Sequence, residues 1–142
     1  MPKSKLRPDV TIEYLKGRAK GHLPEYMGVE PLEIAEGRLV ARLAIQPHHT
    51  APNGYLHAAS VISLADTTCG YATLAHMPEG GQNFTTIELK SNHLGTARDG
   101  SIVATATAQH LGGSTQVWDA EVTHAETGKT IALFRCTQMI LK

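Results

Sequence analysis

Residues 57–77 read HAASVISLADTTCGYATLAHM, and this stretch decides the fold. It contains no Lys, Arg or Pro, and its small and aliphatic side chains fall all around a helix rather than along one stripe. A helix of that character is expected to be enclosed on every side. Pro78-Glu79-Gly80-Gly81 then ends it.

The flanking segments supply the enclosure. From Gly28 to Gln46 the chain alternates, with Leu39, Ala41, Leu43 and Ile45 on one face, Arg38 and Arg42 on the other, and a turn at Glu36-Gly37. This pattern predicts a two-stranded hairpin. Downstream, Thr85, Ile87 and Leu89 alternate with Thr86, Glu88 and Lys90. Three further strands are expected at 102–109, 115–123 and 129–141, separated by Gly-containing turns at 95–100, 112–113 and 127–129. Upstream, residues 9–20 predict an N-terminal helix capped by Asp9, with Ile12, Leu15 and Ala19 on one face. Residues 23–28 read as a turn, and 47–56 (PHHTAPNGYL) as a loop. The order is helix, two strands, one long apolar helix and four strands. An α+β fold with an antiparallel sheet curled around the central helix satisfies it.

The chain has 142 residues, enough for a single domain over 1–142. Thirteen Lys+Arg balance thirteen Asp+Glu, so no basic field exists to attract nucleic acid or an anionic membrane. No apolar run reaches the length of a membrane span. The basic start MPKSKLRPDV lacks the apolar segment of a secretory signal. Two cysteines, Cys69 and Cys136, are too few to staple a secreted scaffold. A cytoplasmic location is the expectation.

Asp66 is the only Asp, Glu, Lys or Arg between His57 and Met77. A carboxylate in apolar surroundings is costly to ionise, and burial raises its pKa toward the range of a useful base. The alternative is that Asp66 bonds Thr67, Thr68 or nearby backbone and only fixes packing. The loop Asn53-Gly54-Tyr55-Leu56-His57-Ala58-Ala59 feeds the start of the same helix. Free N–H groups there match the needs of a developing oxyanion on an acyl carbonyl. Equally, Ala58-Ala59 are good helix formers, and His57 is able to act simply as a cap.

The segment from Asn53 to Ala72 resembles the signature of hotdog-fold acyl-CoA thioesterases of the phenylacetate-degradation type, close to the 4-hydroxybenzoyl-CoA thioesterases. That signature is Gly-x-x-His-Gly-Gly followed by Leu-Ala-Asp or Leu-Ala-Glu and a run of small residues. Here the match is Gly54-Tyr55-Leu56-His57-Ala58-Ala59, then Leu64-Ala65-Asp66, with an offset of nine from His57 to Asp66. Residues 86–94 and 100–106 resemble the strands that follow. The resemblance implies a hotdog domain assembled as dimers and commonly tetramers, hydrolysing an acyl-CoA thioester with no cofactor beyond the substrate's coenzyme A. It implies that Asp66 is the general base or nucleophile and that the Ala58 N–H polarises the thioester carbonyl. It further implies that His57 holds that loop and that Thr86 orients the attacking water. The carboxylate and the carbonyl-binding loop would come from different subunits.

The chain departs from the pattern in four places. Ala58-Ala59 replaces the glycine pair. Ala51 stands where some members carry a carbonyl-gripping Gln, leaving Asn53 as the nearby substitute. Gly70 stands where Ser or Thr is common, so Thr67 would serve instead. Gly113 replaces an Arg. Gly54, Ala59, Thr67 and Gly70 are expected against the substrate, with Lys90, Arg98 and Lys142 as candidates for the coenzyme A phosphates. Cys69 with His76 is a conceivable nucleophile pair, though a small thiol filling the core explains Cys69 more simply. Trp118 and Phe134 read as core or interface side chains. His48, His49, His93, His110 and His124 show no metal-ligand spacing, so no metal is expected. If the alanine pair blocks chemistry, the domain becomes a non-catalytic module binding acyl-CoA or a small aromatic acid. A hotdog dehydratase fits the 57–66 spacing less well.

Overall fold

The computed structural model describes residues 4–142, so Met1, Pro2 and Lys3 of the basic start lie outside it. Six strands form one antiparallel sheet: β1 (Val29–Ala35), β2 (Arg38–Ala44), β3 (Asn83–His93), β4 (Ser101–Leu111), β5 (Thr115–His124) and β6 (Thr130–Leu141). Their order across the sheet is β1-β2-β4-β5-β6-β3. The long helix, α3 (Ala58–Ala75), touches all six strands. This is the hotdog arrangement, and it brings β3 and α3 side by side at one edge. Among the described residues no helix is long and apolar enough to cross a membrane.

Alternation places the sheet's inner face against α3. Leu39, Ala41, Leu43, Ile102, Ala104, Ala106, Trp118 and Val122 are all buried there. Trp118 and Phe134 are both core residues, and Cys69 and Cys136 are buried free thiols. The indole Nε1–H of Trp118 donates to Gln116 Oε1 at 2.8 Å, as a fully buried Trp requires.

Five expectations change. The first helix, α1, runs Ile12–Ala19 and is capped by Thr11, whose hydroxyl accepts from the Tyr14 N–H. Asp9 instead pairs with Arg7. Residues Leu23–Met27 form a short helix, α2, rather than a turn, ended by Gly28 at φ 80°. Within the 47–56 loop, Pro47–His49 is a turn of 3₁₀ helix.

The fourth change matters most for the site. The alternation in β3 is interrupted by a bulge between Thr86 and Glu88 in its pairing with β6. Phe84 and Thr86 face inward before it; Leu89 and Ser91 do so after it, opposite Cys136 and Phe134. Ile87 and Leu89 remain largely exposed at this edge. The central helix is likewise not enclosed throughout. Ala58 and Ala59 are exposed, and Ile62, Ser63, Asp66 and Thr67 are only partly covered. Spaced three and four apart, they form a stripe that the chain's own sheet leaves open.

At the other end of α3, the fully buried His76 ties the β1–β2 turn to the helix. Its Nε2 accepts the Gly37 N–H at 2.9 Å, and its Nδ1 bonds the Ala72 carbonyl at 2.8 Å. Burial lowers the pKa of His76, so the unfolded chain takes up the proton first as pH falls. The stabilising contribution is therefore present above the unfolded pKa of about 6.5 and lost on acidification. Urea unfolding between pH 7.5 and pH 5 is expected to show declining stability, with a shallower decline in His76→Gln.

Candidate active site

The loop before α3 is tied down by its own chemistry. Asn53 Oδ1 accepts the Tyr55 N–H at 3.0 Å, closing a turn in which Gly54 adopts φ 86°. The Leu56 N–H donates to the Ala97 carbonyl and the His57 N–H to the His49 carbonyl, both at 3.0 Å. Ser60 Oγ donates to the same His49 carbonyl at 2.8 Å. His57 is the N-cap of α3, its Nδ1 accepting the Ala59 N–H at 2.9 Å. The first-turn donors at Ser60 and Val61 go to the His57 carbonyl. Ala58 N–H is left without an acceptor among the described residues. One donor, at the positive end of an 18-residue helix, is thus free to meet an oxyanion.

The alanine pair does not obstruct this. Ala58 is the first helical residue, where a negative φ tolerates a Cβ, and both alanines are exposed. At Gly70 a Cβ would lie 2.9 Å from Phe84 Cζ. A Ser at this position, common in the resembled family, cannot fit until that ring moves.

Asp66 lies two turns further along α3, partly buried. Thr86 Oγ1 approaches Asp66 Oδ1 at 3.3 Å and Gln138 Oε1 at 2.8 Å. Burial raises the Asp66 pKa, and the Thr86 hydrogen bond partly opposes it. Partly desolvated and held beside a hydroxyl, the carboxyl group suits a base or nucleophile. Beside it opens a cavity of about 260 Å³, lined by Thr67, Gly70, Tyr71, Leu74 and Phe84, with Arg18 and His22 at its α1–α2 side.

The remaining candidates divide. Arg98 stacks on the Tyr55 ring at 4.2 Å, in the loop that leads into α3. Lys90 is not brought to the site. The β3 bulge reverses the face that simple alternation assigns it, and it lines an outer groove with Asp119, Glu121 and Arg135. Gln138, absent from the sequence-based candidates, is fully buried opposite Thr86. Its signal was an amide among Phe134, Cys136 and Ile140 on the otherwise apolar inward face of β6.

Residues 53–131 match the Thioesterase superfamily, and the chain belongs to that family. Its class of chemistry is thioester hydrolysis. The 1,4-dihydroxy-2-naphthoyl-CoA hydrolase of Listeria monocytogenes is 33% identical over 84% of this chain and 96% of its own length. The enzyme of the same name from Escherichia coli is 27% identical over 93% and 96%. Among solved structures, a mutant of thioesterase PA1618 from Pseudomonas aeruginosa superposes with a TM-score of 0.89, at 26% identity, over 96% of this chain and 97% of that one.

Gly70→Ser is expected to lose about 1–3 kcal/mol of stability through overpacking against Phe84. Urea unfolding checks this, and adding Phe84→Leu should recover part of the loss.

Proposed function

We propose that the protein hydrolyses acyl-CoA thioesters, with Asp66 of one protomer acting on a carbonyl held by the Ala58 N–H of another. The observation that carries this reading is the pairing of a free donor with a partly buried carboxyl group on a single helix. Eight residues separate them, about 12 Å along the axis and about 80° around it. One thioester carbonyl cannot touch both within a chain, since a reacting carbon and its oxygen must each lie about 3 Å from their partner groups. A second copy supplies the missing half. The open stripe on α3 and the unpaired edge of β3, with Ile87 and Leu89 exposed, are the surfaces such a copy would cover. A dimer, and a dimer of dimers, is the assembly proposed.

In this reading the thioester carbonyl is polarised by the Ala58 N–H as the oxyanion forms. Asp66 either removes a proton from the water that attacks the carbonyl carbon, or attacks that carbon itself to form an anhydride that water then hydrolyses, and Thr86 orients the reacting group. Coenzyme A leaves as the thiol and the acyl group as a carboxylic acid. Arg98, beside the loop, is placed to meet the phosphates. No cofactor is required. The cavity beside Asp66 joins apolar walls from Leu74 and Phe84 to polar groups from Tyr71, Arg18 and His22. That mixture suits a compact aromatic acyl group carrying a polar substituent, consistent with the substrate named for the Listeria relative.

A thiol-release assay across short, long and aromatic acyl-CoAs should show preferred turnover of hydroxylated aromatic substrates. Asp66→Asn should lower kcat by about 10²–10⁴-fold without changing assembly. Saturable binding with no turnover of any substrate by the wild type would favour the non-catalytic module. The same substitution also tests the raised pKa. A raised carboxylate stabilises the fold only where it is protonated, and that contribution is lost as pH rises through its folded pKa. Asp66→Asn should therefore melt above wild type at pH 8, the gap closing as pH approaches about 4.

A further inference from the structure

The Thr86 hydroxyl has one proton and two oxygen neighbours: Asp66 Oδ1 at 3.3 Å and Gln138 Oε1 at 2.8 Å. It cannot donate to both. Gln138 is fully buried, and its Nε2 meets only the Cys136 sulfur, at 3.5 Å. Its neighbour Gln116 makes a contrast, because there each end of the amide has a strong partner. Gln116 Nε2 donates to the His76 carbonyl at 2.8 Å, and Gln116 Oε1 accepts from Trp118 at 2.8 Å.

A carboxamide's two ends are nearly identical in shape, so turning Gln138 by half a rotation preserves both contacts while exchanging their sense. With Oε1 toward Thr86, the Thr86 proton goes to Gln138, and Thr86 offers Asp66 only a lone pair. That arrangement fits a protonated Asp66. With Nε2 toward Thr86, the amide donates to the Thr86 oxygen and the Thr86 proton points at Asp66. Gln138 Oε1 then faces the Cys136 thiol, a weak donor. That arrangement fits the ionised carboxylate, and its Thr86–Asp66 bond is charge-assisted and hence the stronger.

We propose that Gln138 is a positioning residue for the catalytic carboxylate: by donating to Thr86, it directs the single Thr86 proton onto Asp66. The inference rests on the reading of Asp66 as the reactive group. Gln138 does not touch substrate. It acts through Thr86, and its effect is to favour the ionised form needed before each turnover. Other ionisable groups around Asp66 are Arg18, His22 and Tyr71 across the cavity and Cys69 on its own helix. None of them bonds the Asp66 carboxylate; Thr86 is its sole side-chain partner among the described residues.

The test is a titration of the Asp66 carboxyl by ¹³C NMR in the assembled protein, for wild type, Gln138→Met, Thr86→Val and the double variant. Gln138→Met should move the Asp66 midpoint upward by roughly half a pH unit. Thr86→Val should also raise it, and Gln138→Met should add nothing in that background. The acid limb of kcat/KM should move with the NMR midpoint while KM is unchanged. An unmoved midpoint, or an equal movement with and without the Thr86 hydroxyl, would overturn the proposal. Should Gln138→Met fail to fold, Gln138→Asn withdraws the amide from Thr86 and keeps the site polar, with the same expected outcomes. The midpoint is read independently of turnover. Failure of the Asp66 assignment, seen as retained activity in Asp66→Asn, is therefore distinguishable from failure of the Gln138 relay.

Discussion

The length of one α-helix constrains everything else in this molecule. Ala58 and Asp66 sit on α3 eight residues apart, and the fixed rise of the helix sets a separation of about 12 Å that no side-chain rotation removes. A free N–H at the helix start and a carboxylate two turns later are both useful to acyl transfer, but not to the same acyl group. The half-covered stripe between them follows from the same geometry. A helix wrapped completely by its own sheet would have no route for a substrate and no reason to carry an acid.

Seen this way, the departures from the thioesterase signature have physical accounts. A glycine pair at the helix start is not needed for a donor when the first residue is already helical, and His57 caps Ala59 so that Ala58 alone stays free. A Cβ at Gly70 would meet the Phe84 ring. The hydroxyls near Asp66 are those of Thr67, on the cavity wall, and Thr86, across the gap on β3. The acid is kept half-desolvated, with a hydroxyl and a buried amide behind it. Holding a carboxyl group there costs fold stability wherever the group is ionised.

Much of the fold was legible because its signals are local and strong. The small and aliphatic run of 57–77 marks a central helix, though not the stripe that the sheet leaves open, and the alternation in 38–45, 102–109, 115–123 and 129–141 marks strands lying against it. The N-terminal cap was misplaced by two residues because Asp9 and Thr11 both qualify chemically, and Arg7 claims Asp9. The β3 bulge was not legible, since nothing in Thr85–Lys90 marks Ile87 as unpaired. Missing it placed Lys90 on the wrong face. Asp66 stands out in the sequence as the lone charge in an apolar run. The roles expected of His57, Ala58 and Thr86 came from the resemblance to the thioesterase signature, and the structure brings the Thr86 hydroxyl to 3.3 Å from Asp66. Gln138 was missed because its meaning lies in a cross-strand neighbour 52 residues away.

Subunit complementation tests the central claim most directly. Ala58→Pro removes the free donor while keeping the helix, since proline is at home at the first helical position and His57 already has the extended backbone (ψ 137°) that a following proline demands. Asp66→Asn removes the acid. Each variant alone should be inactive. Mixed in equal amounts, unfolded and refolded together, they should recover about a quarter of wild-type turnover, because half the dimers are mixed and each has one intact site of two. A mixture as inactive as its parents, despite mixed dimers being present by mass spectrometry, would contradict a site shared between protomers.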